Sequence, residues 1–223
     1  MKLSENTIAV LRNFSTINPS IMIKPGSKLE TVAVSRAIYT VADVEEVFPQ
    51  QFAIYELHKF LGILSLFTDP ILEFTTNQVT IKSGKQSVNY SFADPNSIVI
   101  PDQTKVFKFP EHEVEFNIEQ GELSRVVKAA GILQLPYITV TGEDGIIKVS
   151  ANNVKNPSTN LFNIEVGQTP HTFRFDFSLD NIIKLIQKDY NVKISSRNMS
   201  KFTADNIEYN VACEATSKFT KGE

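Results

Sequence analysis

The chain has 223 residues, and its 42% hydrophobic and 10% aromatic content is enough to bury real cores, which excludes a disordered protein. Its 22 basic and 25 acidic residues give a formal charge of −3, which is unlike a protein that coats nucleic acid through an overall positive charge. A positive surface confined to one face of the molecule stays compatible with these numbers.

The first half of the chain predicts two helices set among strands. Ser4 is a suitable N-cap for a helix at 5–15, and an apolar stripe from Leu57 to Leu64 predicts a second helix directly after a strand. Pro25-Gly26 predicts a hairpin turn, and 43–49 reads as a loop. Strands are predicted at 21–23, 31–34, 38–41, 52–55, 72–75, 78–82 and 87–91.

The second half repeats this order. A helix is predicted at 120–130, and a strand that continues into a helix is predicted at 172–188, where the apolar spacing from Leu179 to Ile186 matches that from Leu57 to Leu64. Further strands are predicted at 137–140, 146–150, 161–166, 192–196 and 207–214. Many strands, four short helices and no β-α-β alternation predict an α+β fold with antiparallel sheets.

The repeat predicts two similar domains, at 1–94 and 111–223. The segment between them, 95–110, contains three prolines and several apolar residues. It is too apolar for a flexible solvated linker, so we expect an extended connector that lies on the protein.

Basic residues lie on the predicted helices, away from their apolar stripes. Arg125 and Lys128 are three residues apart and Lys184 and Lys188 are four apart, so each pair should project from one side of its helix. Such faces predict contact with nucleic-acid phosphates that is independent of sequence, although solvated lysines are also ordinary on amphipathic helices. The predicted DNA-facing residues are Lys2, Arg12, Lys59, Arg125, Lys128, Lys184 and Lys188.

The sequence shows no grouping typical of an enzyme or a metal site. His58, His112 and His171 are far apart in the chain, without carboxylates at metal-ligand spacing, and Gly84-Lys85 fits a hairpin turn better than a phosphate-binding loop. We therefore expect no catalytic residue, no cofactor and no metal. No apolar run predicts a secretory signal or a membrane span, so we expect a soluble intracellular protein.

Several short motifs, in order along nearly the whole chain, resemble one known family. They are the opening Met1-Lys2-Leu3-Ser4, the segment FLGILSL at 60–66, Ala93-Asp94-Pro95 before the connector, and Lys201-Phe202 followed by Val211-Ala212 near the end. Together they resemble the sliding clamps of T-even-type bacteriophages. The segment 142–168 has little in common with that pattern.

The resemblance implies a DNA-clamp fold, in which each domain packs two helices on antiparallel sheets, and a homotrimeric ring around double-stranded DNA. It implies a DNA polymerase processivity factor without a catalytic site, opened by an ATP-dependent clamp loader and acting in the cytoplasm of the infected bacterial host. Late-transcription factors are further partners to consider. The alternative from another class is a β-rich structural subunit of a viral assembly.

Two expectations concern contacts of the ring. Exposed edge strands, 82–90 in the first half and part of the second half, are expected to join neighbouring subunits. Val99 and Ile100, with Tyr209 and Val211, are expected to form an apolar pocket for the C-terminal tail of the polymerase. The alternative is that the apolar residues at 98–100 are simply buried.

Overall fold

A computed structural model of the protein describes residues 1–102, 104, 106–156 and 158–222. The chain forms two compact units, Met1–Val106 and Phe107–Glu223, here called unit 1 and unit 2. The predicted connector at 95–110 includes residues 103 and 105, which lie outside the described residues, and its boundaries stay a prediction.

Besides one short 3₁₀ helix (Pro95–Ser97), unit 1 forms two α-helices and seven strands over its described residues. They are α1 (Glu5–Ile17), β1 (Ile21–Ile23), β2 (Gly26–Val32), β3 (Ile38–Phe48), β4 (Phe52–Ile54), α2 (Leu57–Leu64), β5 (Ile71–Phe74), β6 (Gln78–Ser83) and β7 (Gln86–Ser91). β1 pairs with β4, β2 pairs with β3, and β6 lies between β5 and β7, all antiparallel. Helix α1 packs against α2, β2 and β3.

Helix α1 begins where the sequence predicted. The Ser4 side chain accepts a hydrogen bond from the Thr7 amide, as an N-cap does. Glu46 of β3 reinforces this start, because its carboxylate accepts hydrogen bonds from the Ser4 amide and the Thr7 hydroxyl. The helix then buries one stripe, with Phe14 fully enclosed, and a buried side chain of that size stabilises the fold by roughly 1.5–3 kcal/mol.

Two predictions for unit 1 were wrong. Pro25-Gly26 does not turn one strand onto the next, because β1 pairs with β4 and Gly26 already begins β2. The stretch 43–49 is not a loop, since β3 continues to Phe48 with Val44 and Phe48 buried. Asp43 and Glu45 are exposed on this strand, and the acidic residues at 43, 45 and 46 conceal the alternation in the sequence.

Unit 2 forms two helices and nine strands over its described residues. They are β8 (Val114–Ile118), α3 (Gln120–Ile132), β9 (Tyr137–Glu143), β10 (Ile146–Asn152), β11 (Phe162–Gln168), β12 (Thr172–Ser178), α4 (Leu179–Ile182), β13 (Tyr190–Ser195), β14 (Met199–Ala204), β15 (Ile207–Ala212) and β16 (Lys218–Thr220). Five strands pair in the order β11-β10-β9-β12-β16, and four pair in the order β15-β14-β13-β8. Helix α3 packs on β9, β10 and β11, and α4 packs beside α3 and β12.

A glycine and an aromatic stack connect β9, β12 and β16. Gly142 lies opposite Phe173, and a side chain at Gly142 would begin only 2.4 Å from the Phe173 ring. The Phe173 ring is stacked with Phe219 of β16 at 6.5 Å between centroids, and Phe219 also meets His171 edge-on. Gly142 therefore provides the space in which the Phe173 ring lies.

The α+β prediction with antiparallel sheets is confirmed, and each unit has its two helices. One helix is much shorter than expected: α4 is a single turn of four residues. The strands β8, β14 and β16 were not predicted. β8 and β16 are short, with five and three residues, and β14 has Ser200 and Ala204 on its buried face, which weakens its apolar alternation.

Candidate nucleic-acid interface on the helices

Helix α1 presents a narrow exposed row opposite its buried stripe. Residues at a spacing of three or four share one side of a helix, and here the row contains Glu5, Ala9, Arg12 and Thr16. Arg12 is exposed and has no ion pair among the described residues. Its guanidinium is thus available to an anion in solvent.

Helix α3 presents the corresponding row in unit 2. Its buried residues are Leu123, Val126 and Ala130, and its exposed row contains Gly121, Arg125, Lys128 and Ile132. Glu119 and Glu122 form a capping box at the first turn, and Asp189 accepts a 2.6 Å hydrogen bond from the Gln120 amide. The helix N-terminus is therefore closed by carboxylates, while two cations lie further along the exposed row.

The buried stripes of α1 and α3 place their cations in equivalent positions. Arg12 lies midway between buried Val10 and Phe14, and Lys128 lies midway between buried Val126 and Ala130. Both helices have 13 residues. The two units thus repeat an exposed cation at the same place on the same kind of helix.

Lys59 of α2 is exposed but does not act alone. Its ammonium group donates a 2.8 Å hydrogen bond to the Glu56 carboxylate, three residues earlier. This hydrogen bond, with the attraction between the two charges, raises the pKa of Lys59 above its ordinary value of 10.5. Lys59 remains positively charged at neutral pH, and Glu56 cancels part of its field.

Lys184 and Lys188 are not on a helix, so the prediction that they share one helical face was wrong. Helix α4 ends at Ile182, and the Ile183 and Lys184 amides close a final turn on Leu179 and Asn181. Beyond it, the Lys188 ammonium group pairs with Asp205 at 2.7 Å and lowers the pKa of that carboxylate. Lys188 is therefore partly neutralised.

Lys2 lies just before α1, as predicted, and is exposed. Its ammonium group is 3.9 Å from the Asp69 carboxylate, and both side chains are well exposed. An exposed pair at this distance contributes little to stability, so Lys2 can exchange Asp69 for another anion.

The two helices of each unit pack side by side. α1 packs beside α2 in unit 1, and α3 packs beside α4 in unit 2. Exposed lysine and arginine side chains on such surfaces can contact phosphates, which carry no sequence information. The DNA-facing role of the seven predicted residues stays a prediction.

The residues predicted for the partner pocket are in very different environments. Val99 and Ile100 are half-buried in unit 1, where the Val99 carbonyl accepts a 2.9 Å hydrogen bond from the Asn18 side chain. Tyr209 and Val211 are fully buried in unit 2, and the Tyr209 ring packs edge-on against Tyr190. Tyr209 and Val211 are therefore core residues whose side chains do not reach the surface, which corrects their proposed place in a surface pocket.

Two sheets present long strands at an edge. β7 is the outer strand next to β6 in unit 1, and β11 is the outer strand next to β10 in unit 2. On the opposite edge of the unit 1 sheet, the Leu72 amide donates to the Met1 carbonyl at 2.7 Å and the Met1 amine donates to the Leu72 carbonyl at 2.8 Å. β5 is thus partly closed by the first residue.

A groove of about 480 Å³ lies in unit 2 beside β11 and the start of α3. Glu119, Glu122, Glu165 and Asp189 contribute to its lining. Two of these carboxylates already accept backbone hydrogen bonds at the start of α3, and Glu165 lies 3.8 Å from Lys148. These carboxylates therefore serve the structure of unit 2.

The described residues contain no group of three or more His, Cys, Asp or Glu side chains suited to a metal ion. His112 lies 3.2 Å from Glu115, and His171 accepts a hydrogen bond from the Gly222 amide. No helix among the described residues has both the length and the apolar character needed to span a membrane.

The carboxylates that pair with Lys59 and Lys188 and reduce their positive fields were not predicted from the sequence. The Glu56–Lys59 pair has a spacing of three residues and could have been recognised from the sequence. The Lys188–Asp205 pair could not, because the two residues belong to different segments that only the fold brings together.

Two known sequence families match the chain, one in each unit. The family described as DNA polymerase processivity factor matches residues 2–100. The family described as gp45 sliding clamp, C terminal, matches residues 115–215.

Curated relatives match over nearly the full length. A protein named sliding clamp from Vibrio phage KVP40 is 32% identical over 96% of this chain and 100% of its own length. A sliding clamp from Enterobacteria phage T4 is 31% identical over 97% of this chain and 98% of its own. Neither comparison supports a structural subunit of a viral assembly.

Solved structures share the fold at low sequence identity. The PCNA of A. fulgidus, solved with the C-terminal region of FEN-1 bound, has a TM-score of 0.72 and 13% identity, covering 97% of this chain and 98% of that chain. This likeness confirms the predicted DNA-clamp fold.

Proposed function

The chain belongs to the sliding-clamp family, and from this premise we propose that it encircles double-stranded DNA and tethers a DNA polymerase, so that the polymerase stays on its template. The proposed action is not catalytic. The protein supplies a topological link and a surface for other proteins, and it needs no cofactor for either.

The observation that carries this proposal is the exposed cation repeated on α1 and α3. Arg12 and Lys128 occupy equivalent positions on helices of equal length in the two units. A clamp must hold DNA without stopping at particular bases, and contacts to phosphates provide such affinity. The remaining predicted DNA-facing residues would add to the positive surface of their own unit: Lys2 and Lys59 in unit 1, and Arg125, Lys184 and Lys188 in unit 2.

The proposed assembly is a homotrimeric ring in which β7 of one copy pairs with β11 of the next. β7 has six residues and β11 has seven, long enough for a stable ladder, and each alternates half-buried apolar residues with exposed polar ones. Val88 and Tyr90 on β7 would meet Ile164 and Val166 on β11. Joining two different edges head to tail closes a ring when the rotation permits.

The proposed partners follow from the apolar surface at 98–100. Val99 and Ile100 are half-buried, so they offer some apolar surface to the C-terminal tail of a polymerase. We also propose an ATP-dependent clamp loader as the protein that opens the ring, late-transcription factors as further clients, and a phage origin with action in the cytoplasm of the infected host.

The direct experiment measures the length of DNA made by a phage-type replicative polymerase on a primed circular template. Products should lengthen markedly when this protein, a clamp loader and ATP are all present, and each omission should return them to the short length made by the polymerase alone. Products that stay short under all conditions would contradict the proposed function.

A further inference from the structure

The two units carry different numbers of cations at equivalent helix positions. With Val10 and Phe14 aligned on Val126 and Ala130, Arg12 corresponds to Lys128. One turn earlier on the exposed row, unit 2 has Arg125 where unit 1 has Ala9. The exposed row of α3 therefore contains two cations, and the row of α1 contains one.

Glu119, Glu122 and Asp189 lie at the start of α3, but along the two exposed rows themselves a carboxylate widens this difference. α1 also exposes Glu5 on the same row as Arg12, whereas α3 has Gly121 at the equivalent position. In α2, the charge of Lys59 is opposed by Glu56 at 2.8 Å. Arg125 and Lys128 have no ion pair in the part of the chain that the structure describes.

Unit 2 has one cation whose field is reduced in the same way. Lys188 is paired with Asp205 at 2.7 Å and is less exposed than Lys59. Each unit therefore has a comparable ion pair, Lys59–Glu56 in unit 1 and Lys188–Asp205 in unit 2. The difference in positive charge between the units depends on Arg125 and Lys128 and on the residues that replace them in α1.

We infer that unit 2 supplies most of the affinity for duplex phosphates, through Arg125 and Lys128 acting together, and that unit 1 supplies the smaller part through Arg12. This inference rests on the proposed encircling of DNA. Two guanidinium or ammonium groups one turn apart can neutralise neighbouring phosphates of one strand, and each neutralised phosphate releases a counterion. A ring of three copies would then offer three strong positions to DNA instead of six equal ones.

The test compares two double variants that each remove two helix cations per subunit. Arg125→Ala/Lys128→Ala changes unit 2, and the matched control Arg12→Ala/Lys59→Ala changes unit 1. Binding of a short fluorescently labelled linear duplex is measured by anisotropy from low to moderate salt. Circular dichroism and sedimentation check that each variant keeps the fold and the assembly of the wild type.

The unit 2 variant should lose at least about tenfold in affinity at low salt. The slope of log K against log salt should flatten by about 1.8 for each subunit that loses two phosphate contacts, and so by up to about 5.4 if all three subunits contact the duplex. The unit 1 variant should lose less than about threefold. A third variant, Ala9→Arg, gives α1 the missing cation at an exposed position that tolerates a helix-forming residue, and it should raise the affinity about threefold.

Equal losses from both double variants, or a larger loss from the unit 1 variant, would overturn the inference and leave the clamp function standing. A wild-type protein without salt-dependent duplex binding would overturn both. An Ala9→Arg variant that binds no more tightly than wild type would show that the exposed row of α1 does not reach the DNA as the row of α3 does. The inference depends on the equivalence of these two rows, so this result would contradict it.

Discussion

In the interior of unit 2, the Thr139 hydroxyl donates a 2.8 Å hydrogen bond to the completely buried carboxylate of Asp176. The same carboxylate accepts hydrogen bonds from Arg174 at 2.9 Å and from Thr216 at 2.7 Å. The Asp176 amide donates a further hydrogen bond of 2.9 Å to the Ser217 hydroxyl oxygen. One residue of β12 thus connects β9 to the segment that leads into β16.

Asp176→Ala is expected to destabilise the protein by about 3–5 kcal/mol, because it leaves a buried network without its acceptor. Denaturant unfolding monitored by circular dichroism measures the loss. Asp180→Ala, which removes an exposed carboxylate from α4, is the matched control and should change the free energy of unfolding by less than about 0.5 kcal/mol. Similar losses in the two variants would show that the network does not stabilise unit 2.

Glu46→Gln should reveal a pH-dependent contribution to stability. Burial acts to raise the pKa of Glu46, but the hydrogen bonds from Thr7 and Ser4 outweigh it, so that the pKa lies below its ordinary value of 4.5. A carboxylate whose pKa is lowered by folding stabilises the folded state above its unfolded-state pKa, and this contribution disappears as pH falls through the folded-state pKa.

The wild type should therefore be more stable than Glu46→Gln at pH 7, and the difference should shrink as pH falls below about 4.5. Comparing the two proteins at each pH cancels the titration of all other groups. Unfolding curves from pH 7 to pH 3 provide the measurement, and a difference that stays constant over this range would show that the ionised form of Glu46 is not what supports the start of α1.

Glu56→Gln should strengthen binding to duplex DNA. It removes the negative charge beside Lys59 and leaves the α2 backbone unchanged. The gain should be no more than about fivefold, since an exposed ion pair contributes at most about 1 kcal/mol. Anisotropy titrations at low salt measure the gain. The control is Glu73→Gln, which frees Lys82 on the β5–β6 pair and should have little effect, because neither residue is on a helix.

Ile164→Asp on β11 should abolish the proposed ring. Ile164 is half-buried at the sheet edge, and a carboxylate there would be placed in the interface with β7 of the next copy. Asn163→Asp introduces the same charge at the neighbouring exposed position, which points to the other face of the strand. Sedimentation should give a trimer for wild type and Asn163→Asp and a monomer for Ile164→Asp, whereas a trimeric Ile164→Asp protein would exclude this edge.

Val99→Glu should weaken binding of the polymerase tail at least about tenfold, because a charge would enter an apolar contact. The measurement is a titration of a labelled C-terminal polymerase peptide against the folded protein. Val34→Glu, at an exposed apolar residue of the β2–β3 turn, is the control for added charge. Unchanged affinity in Val99→Glu would mean that the tail binds elsewhere.

The sequence predicted α1 and α3 well because each has a strong apolar period, and Ser4 also gave α1 a recognisable start. It overextended α4, because the apolar residues from Ile182 to Ile186 keep a helical spacing although the backbone leaves the helix at Ile183. Ile183 is 55% exposed, so the apolar pattern there does not report burial.

The candidate site was predictable to the extent that it depends on single helices. Periodicity alone predicts that Arg12, Arg125 and Lys128 are exposed, because the buried row of a helix determines which residues form the opposite, exposed row. The ion pair of Lys188 was not predictable, because its partner Asp205 lies in a turn between two later strands. Burial of Tyr209, in contrast, was open to prediction, because Ile207, Tyr209 and Val211 alternate along β15 and share its buried face.

Gly142 is a position at which almost no substitution is tolerated, whether it arises naturally or by design. Even alanine would place a methyl group against the Phe173 ring, which would have to move, and the ring of Phe219 rests on it. A mutation near the end of β9 should therefore first loosen the C-terminal strand β16, which becomes accessible to proteases while the rest of unit 2 stays folded.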